Sequence, residues 1–346
     1  MRCYNLRKSR RRPFLVGPFL EIRRKAAFPK KRETKGEKME EKKKIGRFGK
    51  EQILGGVIAT CLIAYILLEL VGGVIFTLLL KPVVSIIYYD VLGPILGDAA
   101  LEAGKTYLPF VFTWAGLFVI CLLVKPWRQY LKKLWTGERG NTGRMFLIGI
   151  LVGFVMNFSC ILLALLTGSV HLSFSCFEPV RLVILFLLVF IQSSYEEALY
   201  RCFTYQRIAK CYDARVAVVA SAVFFSIGHM GNNNVTYLGL FGIALTGILY
   251  ALILYYFDSI WLPMAAHTAW NFTQNVLFGL PNSGFVSKYS VISLSGKASN
   301  GFAYDTGFGV ESSWCAVIVE IITCLLVIYF GRRRIGPKET GEKVSF

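Results

Sequence analysis

Charge is scarce in this chain once its first fifty residues are set aside. Only 17% of the 346 residues are Asp, Glu, Lys or Arg, and 55% are hydrophobic, a composition too apolar for an ordinary water-soluble protein of this size. The net charge of +18 would by itself suggest a nucleic-acid partner, but 19 of the 39 basic residues precede position 51, against 5 acidic ones. That tail carries +14 of the total, so nucleic acid is not expected as a partner. No C-x-x-C pair occurs among the nine cysteines. They lie mostly in hydrophobic runs, as at Cys61, Cys121, Cys160 and Cys324, and read as small buried hydrophobes. A short apolar segment with a small-residue cleavage site is missing ahead of the first long run, which argues against a removable signal peptide. H-E-x-x-H is absent, and so is any internal repeat; the zincin fingerprint and the paired-repeat plan of many transporters are both lacking.

Hydrophobic length is what the chain has in quantity. A membrane helix needs about 20 predominantly apolar residues, and eight such runs lie near 52–80, 108–124, 145–167, 181–209, 214–230, 237–257, 260–278 and 314–331. The expected fold is all-α, a polytopic membrane helix bundle of about eight transmembrane helices. A further stretch, 82–97, reads as a re-entrant or interfacial piece. Alternate connections are basic: Lys125, Arg128, Lys132, Lys133, Arg139 and Arg144 in one, Arg207, Lys210 and Arg215 in another, and Arg332 to Arg334 after the last run. The positive-inside rule then puts both termini in the cytoplasm. Residues 1–50 form a basic tail suited to anionic lipid, within which Met39 is an alternative start. Residues 51–140 hold the N-terminal transmembrane helices and a basic loop, 141–335 the rest of the bundle, and 336–346 a second cytoplasmic tail. The loop from Gly279 to Ser313, rich in Gly, Ser and Asn, is either a lid or a flexible connection.

Several polar groups interrupt these runs. The fourth, VILFLLVFIQSSYEEALYRCF, presents Glu196, Glu197 and Arg201. Each such charge costs about 2.5 to 3.5 kcal/mol at a helix centre unless compensated. Glu197 and Arg201 stand four apart with the acid first, the favourable order for an ion pair on one helix face, while Glu196 points about 100° away and is expected to have no partner on its own helix. The fifth run ends in FFSIGHMGNNN, with Phe225 and His229 four apart, and the seventh contains WLPMAAHTAWNF, with His267 and Asn271 four apart. The third histidine, His171, falls in a loop. If the fourth helix runs on to Lys210, Glu196 stands about 21 Å above that end, His229 about 22 Å above Ala214, and His267 and Asn271 about 12 and 18 Å above Ser259. The groups then share a depth. If the helix instead ends at Arg201, at the membrane surface, they do not.

These residues resemble the CPBP intramembrane proteases, the family of the CAAX endopeptidases and the bacterial Abi proteins. Its motifs E-E-x-x-x-R, F-x-x-x-H and H-x-x-x-N correspond to Glu196-Glu197-x-x-x-Arg201, Phe225-x-x-x-His229 and His267-x-x-x-Asn271, in order and within hydrophobic helices. The resemblance covers 181–280 closely, runs more loosely to Glu311, and makes 141–335 the protease core.

It implies an intramembrane endopeptidase. Glu196 and His229 would activate a water, His267 and Asn271 would bind the developing oxyanion, and Glu197, Arg201 and Phe225 would support them. No cofactor is favoured; zinc, the alternative, would take Glu196, His229 and His267, since two His and one Glu form a known catalytic set. The substrate would be a membrane-associated peptide or protein, and the loop sequences lean towards the bacterial type, associated with bacteriocin or peptide processing, in a bacterial plasma membrane. Competing readings are a non-catalytic immunity or scaffold protein and an ion-coupled transporter, for which buried Glu, Arg and His are also expected.

Overall fold

The computed structural model describes residues 50–68, 74, 77–135 and 140–335. The basic tail, Met39, Arg139 and the C-terminal tail from 336 lie outside the described residues. The chain divides into two units, Met1–Ile53 and Leu54–Phe346. Apart from the first residues of α1, every element below belongs to the second.

The bundle is helical throughout: α1 (Lys50–Leu68), α2 (Thr77–Lys105), α3 (Pro109–Leu123), α4 (Gly143–Leu166), α5 (Pro179–Cys211), α6 (Ala214–Gly228), α7 (Tyr237–Phe257), α8 (Trp261–Phe272) and α9 (Trp314–Ile335). Five of these, α2, α4, α5, α7 and α9, are long and apolar enough to cross a membrane, and α1, α3 and α6 are shorter apolar helices. Two boundaries differ from expectation. The run at 52–80 divides between α1 and the start of α2, and 82–97 is an internal stretch of α2 rather than a separate re-entrant piece. α2 nonetheless breaks at Gly97, whose φ of 67° only glycine adopts cheaply.

α8, extended by a π-helical turn at Thr273–Leu277, is not among the helices apolar enough to span by composition. Its environment explains this. Leu262 to Asn271 are all buried, with α4 and α5 as the principal neighbours, so polar side chains on it face protein rather than lipid. Close approach to α4 depends on Gly149 and Gly153, four apart, where an added Cβ would collide with the carbonyl oxygens of Leu262 and Ala266. Small residues at this spacing let membrane helices pack backbone to backbone. The outward side of α4 carries the large residues instead, with Leu147, Leu151 and Leu166 exposed. That contrast in size, rather than in polarity, separates the protein-facing from the lipid-facing side.

The ends of the site-bearing helices are fixed locally. Asp213 caps α6 through the backbone N–H groups of Arg215 and Val216, and Thr236 caps α7 through Gly239. At the start of α8, Ser259 Oγ accepts from the Leu262 N–H at 3.3 Å, and Asn141 Oδ1 accepts from the Ile260 and Trp261 N–H groups at 2.9 and 3.4 Å. Two short strands, β1 (Leu172–Phe174) and β2 (Ile292–Leu294), pair antiparallel with Phe174 opposite Ile292, tying the segment before α5 to the loop after α8. That loop is folded against the bundle, with Tyr304, Phe308 and Val310 fully buried.

Candidate active site

α5 does not end at Arg201. It runs on to Cys211 through a π-helical stretch, Ala198–Tyr205, in which every residue is buried. The reading in which Glu-Glu-x-x-x-Arg closes the helix at the membrane surface is therefore set aside, and the groups on α5, α6 and α8 can meet.

Glu197 and Arg201 are fully buried, with Arg201 Nε 3.2 Å from Glu197 Oε2. The guanidinium carbon sits 4.4 Å from the centre of the Phe225 ring and 5.3 Å from that of Tyr250, so aromatic faces take the place of solvent around the cation. The other Glu197 oxygen, Oε1, accepts from His267 Nδ1 at 3.1 Å. Because a carboxylate only accepts, Nδ1 carries the proton, and in the neutral ring Nε2 holds a lone pair. His229 repeats the arrangement. It closes the end of α6, its Nδ1 donates to the Phe225 carbonyl at 2.8 Å, and its ring packs 4.7 Å from that of Phe225. Both Nε2 atoms face Glu196: Oε2 lies 4.0 Å from His229 Nε2 and 3.7 Å from His267 Nε2, and takes no hydrogen bond among the described residues.

Glu196 does have a partner on its own helix, contrary to expectation. Gln192, one turn earlier, donates from Nε2 to Glu196 Oε1 at 2.6 Å. Its i−4 spacing was visible in the sequence, but an amide beside a charge is easily passed over. Asn271 donates to Gln192 Oε1 at 3.1 Å and, more weakly, to Ser193 Oγ at 3.4 Å. Glu196, His229, His267 and Asn271 all line one cavity of about 240 Å³, closed on another side by Asn282, Ser283 and Phe285 from the loop after α8.

That loop brings a group with no motif to announce it. Glu311 is buried and accepts from Ser283 N at 2.5 Å, Ser283 Oγ at 2.9 Å, Asn282 Nδ2 at 3.2 Å and Gln274 Nε2. Burial pushes its carboxyl up to about 7 from an ordinary 4.5, against the downward pull of these hydrogen bonds. A further buried acid, Glu320 of α9, accepts from Thr246 of α7, away from the cavity.

Among the described residues, no group of three or more His, Cys, Asp or Glu side chains is arranged to hold a metal ion. The set that zinc would take, Glu196, His229 and His267, does not meet that arrangement.

An all-α bundle with membrane-length helices and a cavity walled by a carboxylate, two imidazoles and amides defines an integral membrane protein with groups suited to proton transfer. Residues 177–273 match the family model described as Type II CAAX prenyl endopeptidase Rce1-like. This domain belongs to the CPBP/CAAX protease family, whose members are intramembrane endopeptidases. No curated protein and no solved structure matches the chain.

Proposed function

We propose that this protein hydrolyses a peptide bond in a membrane-associated peptide or protein, using a water activated by Glu196 and His229 without a metal. The observation that carries this reading is the placement of Glu196 Oε2, buried and without a hydrogen bond among the described residues, 4.0 Å from His229 Nε2. One water making two hydrogen bonds of about 2.8 Å bridges a separation of about 4 to 5.6 Å, depending on the angle between them. Oε2 and Nε2 both accept, so both of the water's protons find a base. As one leaves to Glu196, the hydroxide oxygen bonds to the scissile carbonyl carbon and the carbonyl electron pair moves onto oxygen. His267 would meet that oxyanion from Nε2 when doubly protonated. Asn271 would do so with the N–H now spent on its long bond to Ser193, the weaker of its two. Collapse of the adduct breaks the C–N bond, and the proton taken by Glu196 passes to the leaving amine.

Glu197 and Arg201 do not reach the reacting atoms in this scheme. Glu197 holds His267 through Nδ1 and Arg201 holds Glu197, which sets the imidazole nitrogen that faces the substrate. The family description supports a prenylated C-terminal peptide as substrate; the loop sequences lean towards unprenylated peptides of the bacteriocin-processing type, in a bacterial membrane.

The test is a comparison of membrane peptides from cells carrying wild type or Glu196→Gln. Products present only with wild type identify the substrate and show whether the cut segment is prenylated, while identical peptide pools would overturn the protease reading. Activity of the purified protein surviving chelation supports the glutamate mechanism. Loss on chelation with recovery on added zinc would replace it with the zinc alternative.

A further inference from the structure

The cavity wall contains an unbroken line of amides that belongs to none of the three motifs taken as a whole. Starting from the loop, Glu311 Oε1 accepts from Asn282 Nδ2 at 3.2 Å, and the same Asn282 nitrogen donates to Asn271 Oδ1 at 3.3 Å. Asn271 Nδ2 donates to Gln192 Oε1 at 3.1 Å, and Gln192 Nε2 donates to Glu196 Oε1 at 2.6 Å. Each amide has an oxygen end and an NH₂ end, and a flip of any one would set two like ends against each other. The direction is therefore fixed from outside. Glu311 receives donors on every side and faces no acceptor, an arrangement that suits the carboxylate it becomes as pH rises through about 7. Given an acceptor there, Asn282 must present its nitrogen, and its second proton then turns towards the Asn271 oxygen. That leaves Asn271 with its NH₂ towards α5. Gln192 Oε1 must accept from it, as it also does from Ser193 Oγ at 3.0 Å, so the Gln192 NH₂ is left facing Glu196.

A carboxylate turns easily about its last torsion, whose minima are broad and roughly two-fold. The 2.6 Å bond from Gln192 removes that freedom at Oε1 and leaves Oε2 as the oxygen that faces His229 and His267. Gln274 anchors the far end. Its oxygen is held by Asn157 Nδ2 at 2.7 Å, which commits its nitrogen to Glu311 and to the Pro281 carbonyl.

We infer that Glu311, acting through Asn282, Asn271 and Gln192, is a positioning residue that selects which oxygen of Glu196 activates the water. This rests on the proposed catalytic role of Glu196. Glu311 touches neither the cavity's reacting groups nor a cation among the described residues; its contacts are amides, a hydroxyl and backbone N–H. Glu311→Gln offers an NH₂ where the line needs an acceptor, and Gln192→Met removes the last donor. Each is expected to lower kcat by about tenfold to a hundredfold, the range typical of a misplaced catalytic group, with KM within about twofold.

The deciding experiment is the double-mutant cycle in kcat, using a purified peptide that spans a cleavage site identified by its dependence on Glu196. If both residues act through one line, the double variant is no slower than the worse single variant by more than about threefold. Multiplying effects, or a Glu311→Gln variant with wild-type kcat, would overturn the inference. Should Glu311→Gln fail to fold in detergent, Asn282→Ser takes its place in the cycle with the same two outcomes. A different failure, in which no cleavage depends on Glu196, overturns the protease reading and the inference with it, whereas Glu196-dependent cleavage with independent effects removes the inference alone.

Discussion

Glu196 and Glu197 are neighbours on one helix and live in opposite surroundings. Glu197 is 0% exposed, paired with Arg201 inside a ring of aromatic side chains, and bonded to the proton-bearing nitrogen of His267. Glu196 faces the cavity, held through one oxygen by an amide and leaving the other towards two imidazole lone pairs. The difference shows how a membrane protein separates two uses of the same side chain. A carboxylate paired with a buried cation becomes structure, and one that faces a cavity without a cation remains available for proton transfer. About 100° of helix rotation is all that divides them.

The largest effect expected from testing this contrast is on the cavity side. Glu196→Gln keeps the shape but removes the base, and it should abolish cleavage while leaving the detergent melting temperature close to that of wild type. Wild-type turnover by this variant would end the distinction drawn between the two acids.

On the dry side the expected loss is in stability first. Arg201→Ala leaves Glu197 as an unpaired buried charge, which typically costs about 3 to 5 kcal/mol, so both expression and melting temperature should fall, and activity with them. A melting temperature equal to that of wild type would mean that the aromatic enclosure does not isolate the pair from water.

Glu311 extends the comparison to a third acid with a pH signature. Its carboxyl is raised from 4.5 to about 7 by burial, so the folded chain holds the proton more tightly than the unfolded one. The stabilisation from this is fully present below about pH 4.5 and is lost as pH rises through about 7, a difference on the order of 3 kcal/mol. Glu320, Cys160 and Tyr304 face it electrostatically, and none of them is a cation. Thermal melts of wild type and Glu311→Gln between pH 5 and 8 should therefore differ in slope, the variant being the flatter. Equal slopes would show that burial does not hold the proton on Glu311.

The smallest effect concerns the distance at which α8 is held. Gly153→Ala places a methyl against the Ala266 carbonyl, and overpacking of this kind costs about 1 to 3 kcal/mol. Because Ala266 precedes His267, kcat should fall further than stability alone accounts for. A variant unchanged in both melting temperature and kcat would show that α4 does not set the position of His267.

The three motifs were legible in the sequence because charge and imidazole within apolar runs are expensive, and expense points to partners. Their shared depth followed from helical rise once α5 was carried past Arg201. Gln192 was legible in principle, one turn before Glu196, but neutral amides carry little signal. Asn282 and Glu311 were not legible as cavity-wall and buried residues: they sit in a loop whose composition suggests flexibility, and only the packing of that loop under Tyr304 and Phe308 reveals its order. Glu320 lay in plain view within the last hydrophobic run, and its bond to Thr246 crosses between helices in a way that spacing along one helix does not show. α8 reads as less apolar than its neighbours because protein rather than lipid surrounds it.

The pairing of β1 with β2 has a consequence for the order in which the molecule is made. Phe174 lies ahead of all three motifs and Ile292 behind them, so the strand that fastens the cavity wall leaves the ribosome after every motif helix has been synthesised. Asn282, Ser283 and Phe285, which close the cavity on that side, arrive late for the same reason. A nascent chain carrying Glu196, His229 and His267 thus holds those groups before the segment that encloses them has been made.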